Sequence, residues 1–262
     1  MNTTFHKEST PRGGFASGTF LIWDLPTRLF HWLLTAGFIA AALLAFLSGE
    51  KSRLFPYHAV IGLALTLLVV LRMIWGLMGT RYARFTAFLF GPRAVLVYLK
   101  EAFTGGGLRH LGHTPGSAYA IFAMLALMLG ISITGILLSR GHEAFKEAHE
   151  VMSFAMIAVV VAHVIGVAFH SIRHRENITL SMVNGRKVCD PAHGIAAARP
   201  IVAIVFLGLL SAWTFGVVKN YDATTKTTTL PLFGASLQLG ESGTTGKQGK
   251  HPGGHERKQD HD

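Results

Sequence analysis

The sequence predicts an all-α membrane protein with five spanning helices, and three observations carry that prediction. Half of the 262 residues are apolar and only 15% are charged, against about 25% in an ordinary soluble domain. The mean hydropathy is +0.40. Five runs, 31–48, 54–71, 117–139, 151–172 and 200–218, hold no Asp, Glu, Lys or Arg, and each is about as long as the ~18–20 residues that a helix needs to cross the hydrocarbon core. Helices are required because an open sheet leaves its backbone N–H and C=O groups unsatisfied in lipid.

Taken in order, the first 29 residues carry no apolar core of a cleavable signal peptide, so the first run is expected to act as an uncleaved anchor. Between the second and third runs, 85–103 mixes apolar residues with Arg93 and Lys100. Pro92 is expected to start a short helix there that lies in the membrane interface. The segment 241–262 is rich in Gly, His and charge with nothing to bury, so it is expected to be disordered. Its His251, His255 and His261 either catch metal or are simply solvated; no fixed geometry joins them. The single cysteine, Cys189, forms no internal disulfide, lies outside any haem-attachment motif and reads as an incidental loop thiol. There is no internal repeat.

The net charge of +10 invites a nucleic-acid partner, but the basic residues gather in loops at the ends of the runs rather than on a soluble face. Nucleic acid is therefore excluded and membrane lipid is the expected surroundings. With five crossings, the side of the N-terminus (side A) collects residues including Arg28, Arg81, Arg84, Arg93, Arg173, Arg175, Arg186 and Lys187, whereas the short side-B loops offer Lys51, Arg53, Arg140 and Lys146. Lys/Arg excess marks the cytoplasmic face. Side A is thus expected in the cytoplasm and the C-terminus in the periplasm of a bacterial inner membrane.

Four histidines lie at matched depths. His149 and His163 are fourteen residues apart in one run, which puts them on one helix face with ~21 Å between them. His31 lies seventeen residues from the side-B end of its own run, ~26 Å deep, while His58 is ~5–7 Å below the same edge. His31 is therefore level with His163, and His58 with His149. Polar side chains are costly at such depths and need partners. Opposed imidazoles from different helices suit an iron porphyrin held by two axial histidines; zinc would want four ligands in one tetrahedron. With one cysteine, such a haem is non-covalent and b-type. His170, another ~10 Å toward side A, is a lesser candidate. Arg72, fourteen residues after His58, is level with the His31–His163 tier and either holds haem propionates or snorkels at a helix end. Arg28, one turn before His31, has the same status. Gly37, Gly62, Gly135 and Gly166 either admit a flat ring or pack helices.

The stretches WDLPTRLFHW (23–32), YHAVIG (57–62), LRMIWGLMGTRYARF (71–85), GHTPGS (112–117) and HEVMSFAMIAVVVAH (149–163) together resemble the bacterial cytochrome b561 family, and within it the hydrogenase-type di-haem cytochrome b subunits. The resemblance implies a four-helix transmembrane haem-binding bundle plus a fifth transmembrane helix, with two non-covalent b-type haems. His31 and His163 would ligate the cytoplasmic-side haem, and His58 and His149 the periplasmic-side one. Thr114 stands where the family has Asn, in Gly112-His113-Thr114-Pro115, and still offers a helix cap.

The organisation expected is a cytoplasmic segment 1–22, the di-haem core 23–190, a fifth spanning helix 191–220 and a disordered polar periplasmic tail 221–262. The expected function is electron carriage across the membrane between a quinone pool and a periplasmic redox protein, either a hydrogenase-like dehydrogenase or a c-type cytochrome. Quinone contact is expected near His113, His170 and Arg72. The alternatives are a superoxide oxidase that feeds quinone, steered by a basic side-B funnel of Lys51, Arg53, Arg140 and Lys146, and a non-haem metal transporter.

Overall fold

A computed structural model describes residues 18–49, 52–104 and 111–240. In chain order it comprises a strand β1 (Gly18–Leu21), helices α1 (Leu25–Ser48), α2 (Phe55–Met78), α3 (Pro92–Thr104), α4 (Pro115–Leu138), α5 (Lys146–His174) and α6 (Ile178–Asn184), a strand β2 (Arg186–Cys189), helix α7 (Pro200–Lys219) and strands β3 (Thr227–Thr229) and β4 (Ser236–Gln238). Five helices are long and apolar enough to cross a membrane: α1, α2, α4, α5 with the preceding turn from Glu143, and α7. At 1.5 Å per residue, the 24 residues of α1, α2 and α4 reach ~36 Å, longer than the ~30 Å hydrocarbon core.

These helices overrun the charge-free runs because a charge at a helix end need not interrupt the helix. Asp24 caps α1, its carboxylate accepting from the Thr27 N–H at 2.8 Å, with Pro26 in the first turn, so the helix starts six residues before the run at 31. Thr114 caps α4 in the same way through the Ser117 N–H, ahead of Pro115. A side-chain oxygen at that position takes up a helix N–H that has no partner within the helix. α2 continues to Met78, past Arg72, which is buried within it. Arg72 is therefore no snorkelling terminal residue.

α1 pairs with α2 and α4 with α5; α2 also touches α4, and α7 lies against α1 and α2. α2 is the most enclosed span, with 44% of its apolar window buried. The main core forms around it, from Phe30, Leu68, Val69, Trp75, Phe88, Leu125 and Met128. Gly76 makes the closest approach: a Cβ there would run into the Phe85 ring. Gly76→Ala is expected to cost about 1–3 kcal/mol by forcing Phe85 out of the core, visible as a lowered midpoint of thermal unfolding in detergent. An unchanged midpoint would show that Phe85 relaxes freely.

At side A, the end that carries the start of α1, β1 and β2 form an antiparallel ribbon that pairs Gly18 with Cys189 and Leu21 with Arg186. Cys189 is buried there and free of any disulfide. Helix α3 begins at Pro92 as expected and packs on α4. It is held by the Tyr119 hydroxyl, which donates to Phe90 O at 3.1 Å, and by a 3.2 Å hydrogen bond between Tyr98 Oη and His170 Nδ1.

The segment 221–262 was expected to be disordered throughout, yet β3 and β4 pair antiparallel. Leu237 and Leu239 from this hairpin pack with Leu63 and Val217, and the Thr228 hydroxyl donates to Val217 O at 2.7 Å. The polar composition hides three inward side chains that find an apolar surface only once α2 and α7 are side by side. Residues 241–262, with His251, His255 and His261, lie outside the described residues, as do most of 1–22, Lys51 and Arg109.

Candidate haem-binding site

The four histidines come from three helices, His31 from α1, His58 from α2 and both His149 and His163 from α5, and α5 does not pack closely on the other two. α5 is laid against α4 and stands off from α1 and α2. It is the least enclosed span, with 6% of its apolar window buried. Toward side B the space between these helices is a cavity of about 800 Å³, lined by His58, His149, Phe38, Phe46, Leu65 and Met128 among others. Its lining is mostly aliphatic, aromatic or small, which suits a flat apolar guest.

His58 and His149 face one another across it, ring centroids 6.4 Å apart and planes at 77°. Two imidazole nitrogens each bound to one metal at about 2 Å, from opposite sides, place their centroids ~6 Å apart. The spacing therefore matches a shared axial metal. Each ring already has one nitrogen committed elsewhere. His58 Nδ1 lies 2.9 Å from Ala41 O, an oxygen that can only accept, so Nδ1 carries the proton. His149 Nδ1 lies 3.0 Å from Thr134 Oγ1. The Thr134 hydroxyl donates its single hydrogen to backbone carbonyls at Gly130 and Ile131, at 2.8 and 3.1 Å, and so accepts from His149. Both rings are thereby fixed with Nε2 unprotonated, the form that ligates a metal.

Glycines divide between the two roles open to them. Gly135 brings the α4 backbone against His149, where a Cβ would meet Cε1 at 3.2 Å. Gly62 lines the cavity with nothing within 4 Å of a Cβ position. Gly37 packs against Leu65, whereas Gly166 faces open space.

At side A, His31 and His163 lie close enough to interact electrostatically. His113, Arg72, Lys187, His163 and His31 form one electrostatic neighbourhood. Among the described residues, four buried side-chain polar atoms have no hydrogen-bond partner: Thr27 Oγ1, Arg28 Nε, His31 Nδ1 and Arg72 Nη1. All four lie at this end of the bundle. A buried N–H without an acceptor costs about 1–3 kcal/mol, and more when charged. The unpartnered, buried Arg72 N–H suits a group that brings a carboxylate to this end of the bundle. Arg28 Nη1 already donates to Val183 O at 2.6 Å. Arg72 Nη2 donates to Ala83 O at 3.3 Å while its guanidinium lies 5.0 Å over the Phe85 ring.

His113 lies between Trp23 and Phe88, edge-on to the first and tilted to the second, centroids 4.8 and 4.2 Å away. Burial, followed by the charge of Arg72, pushes its pKa down to about 3, so it is neutral at any physiological pH. His170 is buried against His174, centroids 4.2 Å apart, and hydrogen-bonded to Tyr98. Behind His113, Asp24 accepts from the Trp75 indole at 3.2 Å and from the Thr80 hydroxyl, a network with no spacing signal in the sequence.

Among the described residues no three His, Cys, Asp or Glu side chains gather as a metal-holding group; His58 and His149 meet as a pair. Of the basic side-B residues, Lys146 lines the cavity, but so do Glu143 and Glu150, so the charge there is mixed. No curated protein and no solved structure matches the chain. A family model described as prokaryotic cytochrome b561 matches residues 22–185, well over half of the 262 residues, and spans all four histidines, both arginines and the cavity-lining stretches of α1, α2, α4 and α5. The chain therefore belongs to the prokaryotic cytochrome b561 family and is a multi-pass, b-type haem-binding membrane cytochrome of electron transfer.

Proposed function

We propose that this cytochrome holds two b haems and carries electrons across a bacterial inner membrane between a quinone pool and a periplasmic redox partner, with its N-terminus in the cytoplasm. The partner is either a hydrogenase-like dehydrogenase or a soluble c-type cytochrome. The observation that carries the reading is the His58–His149 pair, 6.4 Å apart across an apolar cavity, each ring with its outer nitrogen bonded to the protein. His31 and His163 are the corresponding pair at side A. When bound, a b-type haem supplies reversible one-electron exchange at its iron.

The protein's own residues do the rest. Ala41 O and the Thr134 hydroxyl hold the His58 and His149 tautomers and make their Nε2 atoms better donors. Arg72, whose buried Nη1 has no partner, and Arg28 would hold the propionates of the side-A haem through charge-assisted hydrogen bonds. The ~21 Å between tiers, set by fourteen residues of α5, spaces the two centres along the membrane normal. Quinone contact is assigned to the side-A end near His113, Arg72 and His170. There the neutral His113 ring offers one donor and one acceptor nitrogen.

A pyridine haemochrome assay with iron quantification on the purified full chain tests this reading. Two b haems per chain are expected. One haem, or none after haem-sufficient expression, overturns it.

A further inference from the structure

We propose that the β3–β4 hairpin is a wall of the side-B haem cavity and, by keeping water out, sets the reduction potential of the haem held by His58 and His149. The proposal rests on the reading of those two histidines as ligands.

The observation is one of placement. The cavity is formed chiefly by α1, α2, α4 and α5, but its lining also includes Gln238, Leu239 and Gly240, from beyond the last span and outside the stretch 22–185 matched by the family. The hairpin is fastened there at several points. Gln238 N donates to Ser139 O at the end of α4, at 2.8 Å, and Leu239 N to Lys226 O, also at 2.8 Å. The Gln238 side-chain amide donates to Thr225 O at 3.0 Å and to Gly240 O at 2.6 Å, fixing the path of the three lining residues. Gly240 lies against Pro56 at the start of α2, two residues before His58. Leu237 and Leu239 are each 1% exposed, so an apolar anchor holds the wall in place.

A polar hairpin tied this firmly over an apolar cavity is more than a solvated tail. An oxidised haem iron carries one more positive charge than the reduced one, and a low-dielectric wall disfavours the more highly charged form. The wall therefore raises the potential of the side-B haem, and opening it lowers that potential. It also limits which side-B molecules reach that haem.

The test uses full-length, haem-loaded Leu239→Ala and Gln238→Ala variants, with Leu232→Ser as control because Leu232, near the hairpin tip, is 96% exposed. Haem stoichiometry, redox titration and the rate of reduction by ascorbate are measured. Two haems are expected in every chain. In the first two variants one of the two midpoint potentials should fall and reduction of that haem should quicken severalfold; the control should match the wild type. The component that moves should be the one missing from a His149→Ala chain. Unchanged potentials in both wall variants, or a shift in the haem that survives His149→Ala, overturn the proposal. A wild-type chain with a single haem overturns the underlying reading instead.

Discussion

Replacing His149 with alanine is expected to halve the haem content of the purified protein, from two per chain to one, while the second haem keeps its absorption and potential. The ring of His149 faces His58 at 6.4 Å, and alanine leaves a metal with one axial nitrogen on an open cavity. The other tier lies fourteen residues along α5, ~21 Å away, beyond any shared packing. His58→Ala should give the same single-haem product. The double variant should be no worse than either single, since both residues act on one bound group and their effects are not additive. Thr134→Val separates ligand from support: it keeps the shape but removes the acceptor for His149 Nδ1. Loss of such a partner weakens metal binding by about 10–100-fold, so this variant should retain the haem but release it faster to a scavenger. Two haems in His149→Ala would end the ligand assignment, and with it the two-tier arrangement.

Much of this architecture was legible in the sequence because the bilayer simplifies it. Spans had to be helices, their lengths were bounded by the hydrocarbon core, and helical rise converted residue counts into depth. That is why the facing of His58 and His149 could be anticipated from four numbers. The helix that starts at Pro92 was legible as well, and so was the cap at Thr114. Features that depend on how helices sit beside each other were not. The role of Arg72 could not be read from position 72, since whether it snorkels depends on Phe85 and Ala83 folding back over α2. The ribbon joining Gly18–Leu21 to Arg186–Cys189 bridges most of the chain with no periodicity to announce it. The hairpin at 227–238 looked like tail because three inward side chains are too few to register as a pattern. Glycine roles divided on contacts alone: Gly37 and Gly135 have neighbours, whereas Gly62 and Gly166 have space.

Asp24 is where a single substitution should damage the fold most. It is 1% exposed and has three duties: it caps α1 through the Thr27 N–H, accepts the Trp75 indole N–H, and accepts the Thr80 hydroxyl. It is also the carboxylate whose charge acts on buried Arg72. Alanine at 24 would uncap α1, at about 0.5–2 kcal/mol, and strand two buried donors. It would also remove a negative charge that acts on buried Arg72. These losses share atoms and will not sum, so Asp24→Ala is expected to destabilise by about 3–5 kcal/mol, read as a large drop in the thermal midpoint of helical circular dichroism in detergent. Asp24→Asn keeps a capping oxygen and the shape but not the charge. It should recover the part due to the cap and leave the part due to Arg72. If charge dominates, Asn will lie close to Ala; if capping dominates, it will lie close to wild type. A midpoint in Asp24→Ala within error of the wild type would mean that water reaches these donors at side A, and that the burial of Arg72 owes nothing to Asp24.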